Sequence, residues 1–533
     1  MTTSDTLSPT APGAAEARPR TPRLRLPATL PRRRPGVWAW LGIGGLVWVL
    51  VALFALATAP ASSPDEPSHA IRAAAVARGQ WSGVLLPASP DIEVPGAATV
   101  VHLPADWAGV AALPDCFIGD AGQAADCQVP LGPPADAGGV DVETYAGQYP
   151  PLYYALVGLP SLFLPAWPAL TAMRLVSTTL TAAFVSWGLF RLSRIPGNRA
   201  GVWGAAIALT PMTLFLGASV NPAGFEIVAA FSFWAAALAL ATGAGPPSRG
   251  ALVQAAVGGA VLVNSRFTGP VWAVGIVAVV LVLAPTGRLR ELVRSPGARG
   301  VGLTAALASA VAVGWLAVHP QVVTTENRYP QFADPALTLR FIVGKGVDYL
   351  ANMVGDFGWL DTPAPPLTWL LWTVATGAVV LLGLAVARGR RRPAALVLVV
   401  AATAAAPVVL QFPWAVDAGI VWQGRYALPL AMGIPLVAAL VAGIDDSPVG
   451  EVVRRVARAT VPLLAVAHVA AFATAARRYA VGVGGEFVTR EPAWSSPVGY
   501  LTALVAFALV ATVLAAVAWR SLGPRQRELA ALS

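Results

Sequence analysis

The chain has 533 residues, 56% of them hydrophobic and only 12% charged, with a formal net charge of +9. At a mean hydropathy of +0.65, so few charges cannot cover a water-soluble surface, and apolar runs that are continuous rather than alternating exclude a barrel and give no expectation of strands. The arginines fall in short tracts between apolar runs, without interleaved aromatic platforms, so they read as topology signals and not as a nucleic-acid surface; Lys345 is the single lysine, and nearly all the positive charge is permanent guanidinium.

Residues 1–35 are rich in Pro, Ala and Arg and end in Arg32-Arg33-Arg34. They hold too little apolar surface to fold and are expected as a disordered cytoplasmic tail. The run Val37 to Ala59 is too long for a signal-peptide core and is expected as a first membrane helix, its N-terminus held inside by the arginines. Residues 60–150 form a long extracytoplasmic loop with no core of its own, and a loop of this length is usually functional. It contains both cysteines of the chain, Cys116 and Cys127. Two cysteines in one loop point to a disulfide and an oxidising face, with two free thiols as the alternative. The loop closes at Tyr149-Pro150-Pro151-Leu152-Tyr153-Tyr154. The following apolar stretch, broken by Pro160, Pro165 and Pro168, is expected as an interfacial or re-entrant helix.

Further spans are expected at 169–191, 199–219, 223–243, 250–264, 268–285 and 301–318, and, after a second extracytoplasmic loop at 319–365, at 366–387, 393–411, 424–443, 457–475 and 498–519. With the first helix this gives an all-α, polytopic membrane protein of about twelve transmembrane helices, residues 36–520, and a cytoplasmic tail at 521–533. The count places the clusters around Arg191, Arg288, Arg388, Arg454 and Arg520 inside, as the positive-inside rule requires. Arg477, Arg478 and Arg490 fall outside and do not fit it; they either bind something anionic or are solvated.

The stretch Ser63-Pro64-Asp65-Glu66-Pro67-Ser68-His69-Ala70-Ile71-Arg72 leaves the first span directly. If Pro67 opens a helix, Asp65, His69 and Arg72 share a face. An acid, an imidazole and a fixed cation at a lipid–water boundary suit deprotonation of one group beside a bound anion. Ser63-x-x-Glu66 also reads as a capping box. The same expected outer side collects Tyr149, Tyr153, Arg174, Asn221, Glu226, Arg266, Gln423, Arg425 and Tyr426 as substrate-binding candidates beside His69 and Arg72. Each has a structural alternative: snorkelling arginines, a turn at Asn221-Pro222, a helix-dipole role for Glu226, an aromatic belt. No nucleotide-binding glycine loop is present, and a lipid phosphate held by arginine fits an outward site in a membrane.

Asp65-Glu66 just after the first span resembles the catalytic acidic motif of GT-C-type membrane glycosyltransferases. The Tyr149–Tyr154 run followed by Ala172-Met173-Arg174-Leu175-Val176-Ser177 resembles the segments that close the first outer loop there. Pro64-Asp65-Glu66-Pro67-x-His69, the cysteine loop, Asn221-Pro222 and Gln423-Gly424-Arg425-Tyr426-x-x-Pro429 are most similar to domain-of-unknown-function family 2142, bacterial multi-pass proteins related to GT-C enzymes. The resemblance covers roughly residues 37–445. It implies a GT-C-like fold in the bacterial cytoplasmic membrane, with the active site on the extracytoplasmic side. It implies a polyprenyl-phosphate-linked sugar as donor, a glycan or glycoconjugate hydroxyl as acceptor, and an inverting displacement. Asp65 would be the base; Glu66 would support it, or both would hold a divalent cation, Mg or Mn, where one is used. Arg174, Arg266 and Arg425 would face the leaving phosphate, Arg425 foremost. The competing class is a transporter or flippase of lipid-linked sugars, which needs no base; a polymerase or ligase of surface glycans would still be a transferase.

Overall fold

A computed structural model of the chain describes residues 1–2, 36–86, 98–132, 138–319 and 328–523. Most of the two expected tails, residues 3–35 and 524–533, therefore lies outside the described residues. In chain order the helices are α1 (Val37–Ala57), α2 (Glu66–Ala77), α3 (Leu152–Val157), α4 (Ala166–Arg194), α5 (Gly201–Ala208), α6 (Pro211–Ala218), α7 (Pro222–Thr242), α8 (Arg249–Val263), α9 (Gly269–Leu283), α10 (Thr286–Arg294), α11 (Pro296–Val318), α12 (Pro335–Gly344), α13 (Gly346–Val354), α14 (Pro366–Val386), α15 (Arg391–Gln411), α16 (Ala415–Ala418), α17 (Leu428–Ala431), α18 (Gly433–Ala442), α19 (Pro448–Val481) and α20 (Tyr500–Ser521).

The protein is a multi-pass helical membrane protein. Among the described residues nine helices are long and apolar enough to cross a bilayer, the stretch Gly424–Ala442 counted as one. A tenth is the pair α5 and α6, bent by 61°, where Thr210 caps α6 and Pro211 opens it, a combination that starts a helix but cannot continue one. Each remaining expected position carries a helix, but α8 and α9 have 15 residues each, about 22 Å at 1.5 Å per residue, short of a full hydrocarbon core. The count of twelve is therefore not established. The stretch after Tyr154 is not a span: α3 has six residues and runs into a short turn at Leu159–Leu162.

Two expectations are corrected. The first long loop carries a three-stranded antiparallel sheet, β1 (Val84–Leu85), β2 (Thr99–Pro104) and β3 (Gly139–Thr144), with Val101 opposite Val142 and Leu103 opposite Val140. Val101, Leu103 and Val142 are buried while His102 between them faces out. That period of two marks a half-buried strand even in a Pro- and Gly-rich region. The loop needs no core of its own because its inner face, with Trp107 and Val110, joins the main core. In the second loop a short pair, β4 (Asp356–Phe357) and β5 (Thr362–Pro363), follows α12 and α13.

Phe54 of α1 sits at the hub of the bundle. It is fully buried, and its ring lies 5.0 Å from Phe472 of α19, 5.4 Å from Phe507 of α20 and 6.2 Å from Phe215 of α6 and from Phe357 of β4. Edge-to-face pairs of this kind add to packing where lipid removes the hydrophobic drive between helices. At one end of the bundle the connections α4–α5, α7–α8, α9–α10, α14–α15 and α18–α19 converge around a cavity of about 810 Å³ bordered by Arg288, Arg388 and Arg392. The sheet, the cysteine loop and α12–α13 lie toward the other end.

Candidate active site

At that second end, residues from six distant segments enclose a cavity of about 730 Å³. Asp65, His69, Tyr149, Asn221, Arg266, Gln423, Arg425 and Tyr426 line it, as the sequence reading gathered them. Glu66, Arg72, Tyr153, Arg174 and Glu226 do not.

The adjacent acids are separated by backbone geometry. Asp65 precedes α2 in the left-handed region, φ 63° and ψ 2°, which non-glycine residues rarely adopt and which clusters at functional sites. Its side chain stays 58% exposed and reaches within 4.0 Å of Arg425 Nη2. Glu66 turns the other way. Its Oε1 accepts from Arg174 Nε at 2.7 Å and from the Val220 amide at 2.9 Å; its Oε2 accepts from Arg174 Nη2 at 2.5 Å and from the Ser63 amide at 3.3 Å. Arg174 also donates to the carbonyls of Ala55, Thr58 and Ala59 at the end of α1. The pair is a buried clasp that satisfies the open end of α1 and fixes the turn into α2. The expected phosphate contact of Arg174 and the catalytic support from Glu66 thus find no place in the cavity; the capping alternative describes Glu66 better.

Arg72 is likewise a scaffold, donating to the carbonyls of Gln80, Trp81 and Tyr149 and so placing Tyr149. Tyr153 pairs its hydroxyl with Ser177 at 2.8 Å. Glu226 accepts from Thr268 at 2.7 Å and lies 3.6 Å from Arg266 Nη1, backing that arginine from behind. Asn221 caps α7 by accepting from the Ala223 amide and donates to the Pro64 carbonyl at 3.1 Å, tying α7 to the Asp65 turn.

His69 is buried, its Nδ1 2.9 Å from the Tyr154 hydroxyl. Burial, then the charges of Arg266 and Arg425, push the imidazole down to about 3, so it is neutral at physiological pH. Burial also raises the Tyr149 phenol, against the pull of Arg266.

The two remaining cations face the same ring. The guanidinium of Arg266 lies 5.0 Å and that of Arg425 5.6 Å from the Tyr426 centroid. Arg425 is 2% exposed, and its Nε and Nη1 have no hydrogen-bond partner; nor has Nη1 of Arg266. Gly424 lets Arg425 come this deep: a Cβ there would meet the Tyr349 carbonyl at 1.9 Å. Each guanidinium has a carboxylate near it, Glu226 for Arg266 at 3.6 Å and Asp65 for Arg425 at 4.0 Å, but the nitrogens left without a hydrogen bond, two of them on Arg425, are donors that a bound anion can fill.

A divalent cation fits poorly. Both Glu66 oxygens are occupied by Arg174, and no group of three or more His, Cys, Asp or Glu able to hold a metal occurs among the described residues.

Beyond the expected site residues the cavity is lined by Lys345, Asp348, Tyr349, Asn352 and Trp422, and by Asp356, which the sequence places with Asp361 among the polar residues of the second outer loop. Burial pushes the Asp356 carboxyl up to about 6. The helical spacing of Asp348, Tyr349 and Asn352 is the sequence signal for them within the stretch expected as the second extracytoplasmic loop, 319–365. Outside the cavity, Cys116 and Cys127 are joined in a disulfide. Arg478 is buried and clamps that loop, donating to the carbonyls of Phe117, Asp120 and Gln123 and pairing with Asp361 at 2.9 Å. Of the two alternatives, solvation does not hold: its anionic partner is Asp361 of the same chain. Arg477 stacks on Phe487 at 3.8 Å.

The sequence profile described as "Predicted membrane protein (DUF2142)" matches residues 48–434. No curated protein sequence matches the chain. Among solved structures, the crystal structure of ArnT from Cupriavidus metallidurans bound to undecaprenyl phosphate aligns at a TM-score of 0.42 and 12% identity, over 91% of this chain and 77% of that one.

Proposed function

The chain belongs to the DUF2142 family of predicted membrane proteins, and from that premise we propose that it is a GT-C-type glycosyltransferase that moves a sugar from a polyprenyl-phosphate donor to a glycan or glycoconjugate hydroxyl outside the bacterial cytoplasmic membrane. The observation that carries this reading is the meeting, in one cavity, of the buried Arg425 guanidinium with two nitrogens free of hydrogen bonds, the Arg266 guanidinium beside it and the exposed Asp65 carboxylate. Charge supports that side: the cavity lies opposite the end where Arg288, Arg388 and Arg392 gather, and arginine-rich connections tend to stay in the cytoplasm.

The donor phosphate lies against Arg425 and Arg266, which supply fixed donors where charge develops as the glycosidic bond breaks. The acceptor oxygen attacks the anomeric carbon from the opposite face. The bonding pair of the C–O bond leaves with the phosphate, and Asp65 takes the hydroxyl proton, so the configuration inverts. His69, neutral and bonded to Tyr154, holds the wall of the site rather than the anion.

The test is mass spectrometry of the purified protein incubated with polyprenyl-phosphate sugars and candidate acceptors, looking for a new glycosidic bond. Asp65→Asn, first shown to unfold at the wild-type temperature, should lower turnover by about 10²–10⁴-fold, the worth of a general base. Glu66→Gln should instead lower stability by about 3 kcal/mol through the broken clasp, with turnover of the folded fraction little changed. Near-normal transfer by Asp65→Asn would remove this carboxylate as the base. Movement of lipid-linked sugar across vesicles without any transfer would put a flippase in place of the enzyme.

A further inference from the structure

The second outer loop contributes a whole wall of the cavity. Lys345, Asp348, Tyr349, Asn352 and Asp356 all line it. Asp348, Tyr349 and Asn352 share one side of α13, Lys345 precedes its first turn, and Asp356 follows in β4; together they are the polar stripe of this wall. The other side of the element is apolar and exposed: Val347 and Leu350 on α13, and Leu339, Phe341 and Val343 on α12. Lys345 and Asp348 are exposed at the mouth of the cavity, Tyr349, Asn352 and Asp356 lie deeper, and the apolar side faces away from it, as on an element lying in a membrane interface.

The stripe is not saturated. Tyr349 is 5% exposed and its hydroxyl has no partner. Asp356 Oδ2 accepts from Asn352 Nδ2 at 2.7 Å, while its Oδ1 is buried and unpartnered. Gln423 Oε1, on another wall of the cavity, is also unpartnered. Trp422 and Tyr426 border the same space, their rings 5.6 Å apart and edge to face. Hydrogen bonds left unmade at buried groups are costly, so water or a ligand completes them, and a polyhydroxylated ligand can replace the water.

We propose that the α13 stripe is a sugar-hydroxyl subsite, holding the ring of a polyhydroxylated substrate while Arg425 and Arg266 hold the phosphate. The division follows from charge. The stripe brings two carboxylates and one ammonium, which repel a phosphate more than they attract it. As alternating acceptors and donors (Asp348, Tyr349, Asn352, Asp356), the same groups suit a ring carrying several hydroxyls. Aromatic faces beside such a row take the apolar face of a sugar. This proposal rests on the lipid-phosphate reading of the cavity. The ring belongs either to the donor or to the acceptor, since both are sugars with the same chemistry.

The experiment uses full-length protein in nanodiscs and three probes: farnesyl phosphate, a panel of farnesyl-phosphate sugars (glucose, galactose, mannose and arabinose), and methyl glycosides of the same sugars. The variants are Tyr349→Phe and Asn352→Ala, each first matched to wild type in thermal unfolding. At least one sugar should add affinity in wild type, either a farnesyl-phosphate sugar that binds more tightly than farnesyl phosphate alone or a methyl glycoside that binds beside farnesyl phosphate. Each variant should weaken that sugar's binding roughly 5–10-fold, the value of one or two hydrogen bonds, and leave farnesyl phosphate within about twofold. Loss confined to the methyl glycoside assigns the subsite to the acceptor; loss confined to the lipid-linked sugar assigns it to the donor. If both folded variants bind every probe as wild type does, or if no sugar adds affinity in wild type, the subsite is wrong. Failure of farnesyl phosphate itself to bind wild type would instead overturn the lipid-phosphate reading.

Discussion

Arg425 is held almost without exposure, two of its nitrogens unpaired and its third 4.0 Å from Asp65. Such a guanidinium is stable when an oxyanion supplies the missing contacts, and a planar fork can grip one bidentately where an ammonium cannot. Arg425→Lys should therefore weaken farnesyl phosphate binding at least about 10-fold although the charge is kept; equal affinity by calorimetry would leave the arginine as structural. His69 makes a second prediction. Its folded value, about 3, lies below the ordinary 6.5. A depressed value means that its contribution to stability is fully present above pH 6.5 and is lost as pH falls from there toward 3, because the unfolded chain takes up the proton first. His69→Asn, which keeps a partner for Tyr154, should flatten the part of the thermal-midpoint decline that lies between pH 7 and pH 5. An unchanged slope would mean that the imidazole protonates in place.

At the scale of elements, short devices position long helices. The Glu66–Arg174 clasp, the Asn221 cap and the Phe54 cluster join α1, α2, α4, α6 and α7 into one frame that holds the Asp65 turn. The disulfide loop is a separate cover, pinned from below by Arg478 at the end of α19. Cys116 and Cys127 are 11 residues apart, so the bond closes a short loop worth up to about 3 kcal/mol locally, less where Arg478 already orders it. Reductant should thus open residues 105–128 to limited proteolysis before the bundle loses its midpoint. Simultaneous loss of both would show that the loop is part of the global fold.

For the whole molecule, the decisive expectation is the side on which the cavity lies. Both native cysteines are bonded, so introduced thiols can be labelled selectively. Gly484→Cys, in the connection after α19, and Arg390→Cys, between α14 and α15, should react from opposite faces of intact cells and inverted vesicles, position 484 from outside. Labelling of both from one face would refute the topology. The membrane character, the positions of nearly all long helices, the arginine-rich connections and the cysteine pair were legible in the sequence, because run length and charge tracts are properties of a local stretch of chain. The turn at Asn221-Pro222 was legible for the same reason, whereas 199–219 is expected as one unbroken span and is bent at Pro211. Tertiary structure alone decided which polar residues meet. Asp65 and Glu66 are neighbours in sequence, yet a left-handed turn sends one into the cavity and the other into Arg174. Arg266, Arg425 and α13 come from turns far apart in the chain, and only the packing of the helices between them brings those turns to one cavity. The α13 stripe was present as a spacing, but its meaning depended on which side faces lipid, and that is set by the partners a helix finds rather than by its own residues.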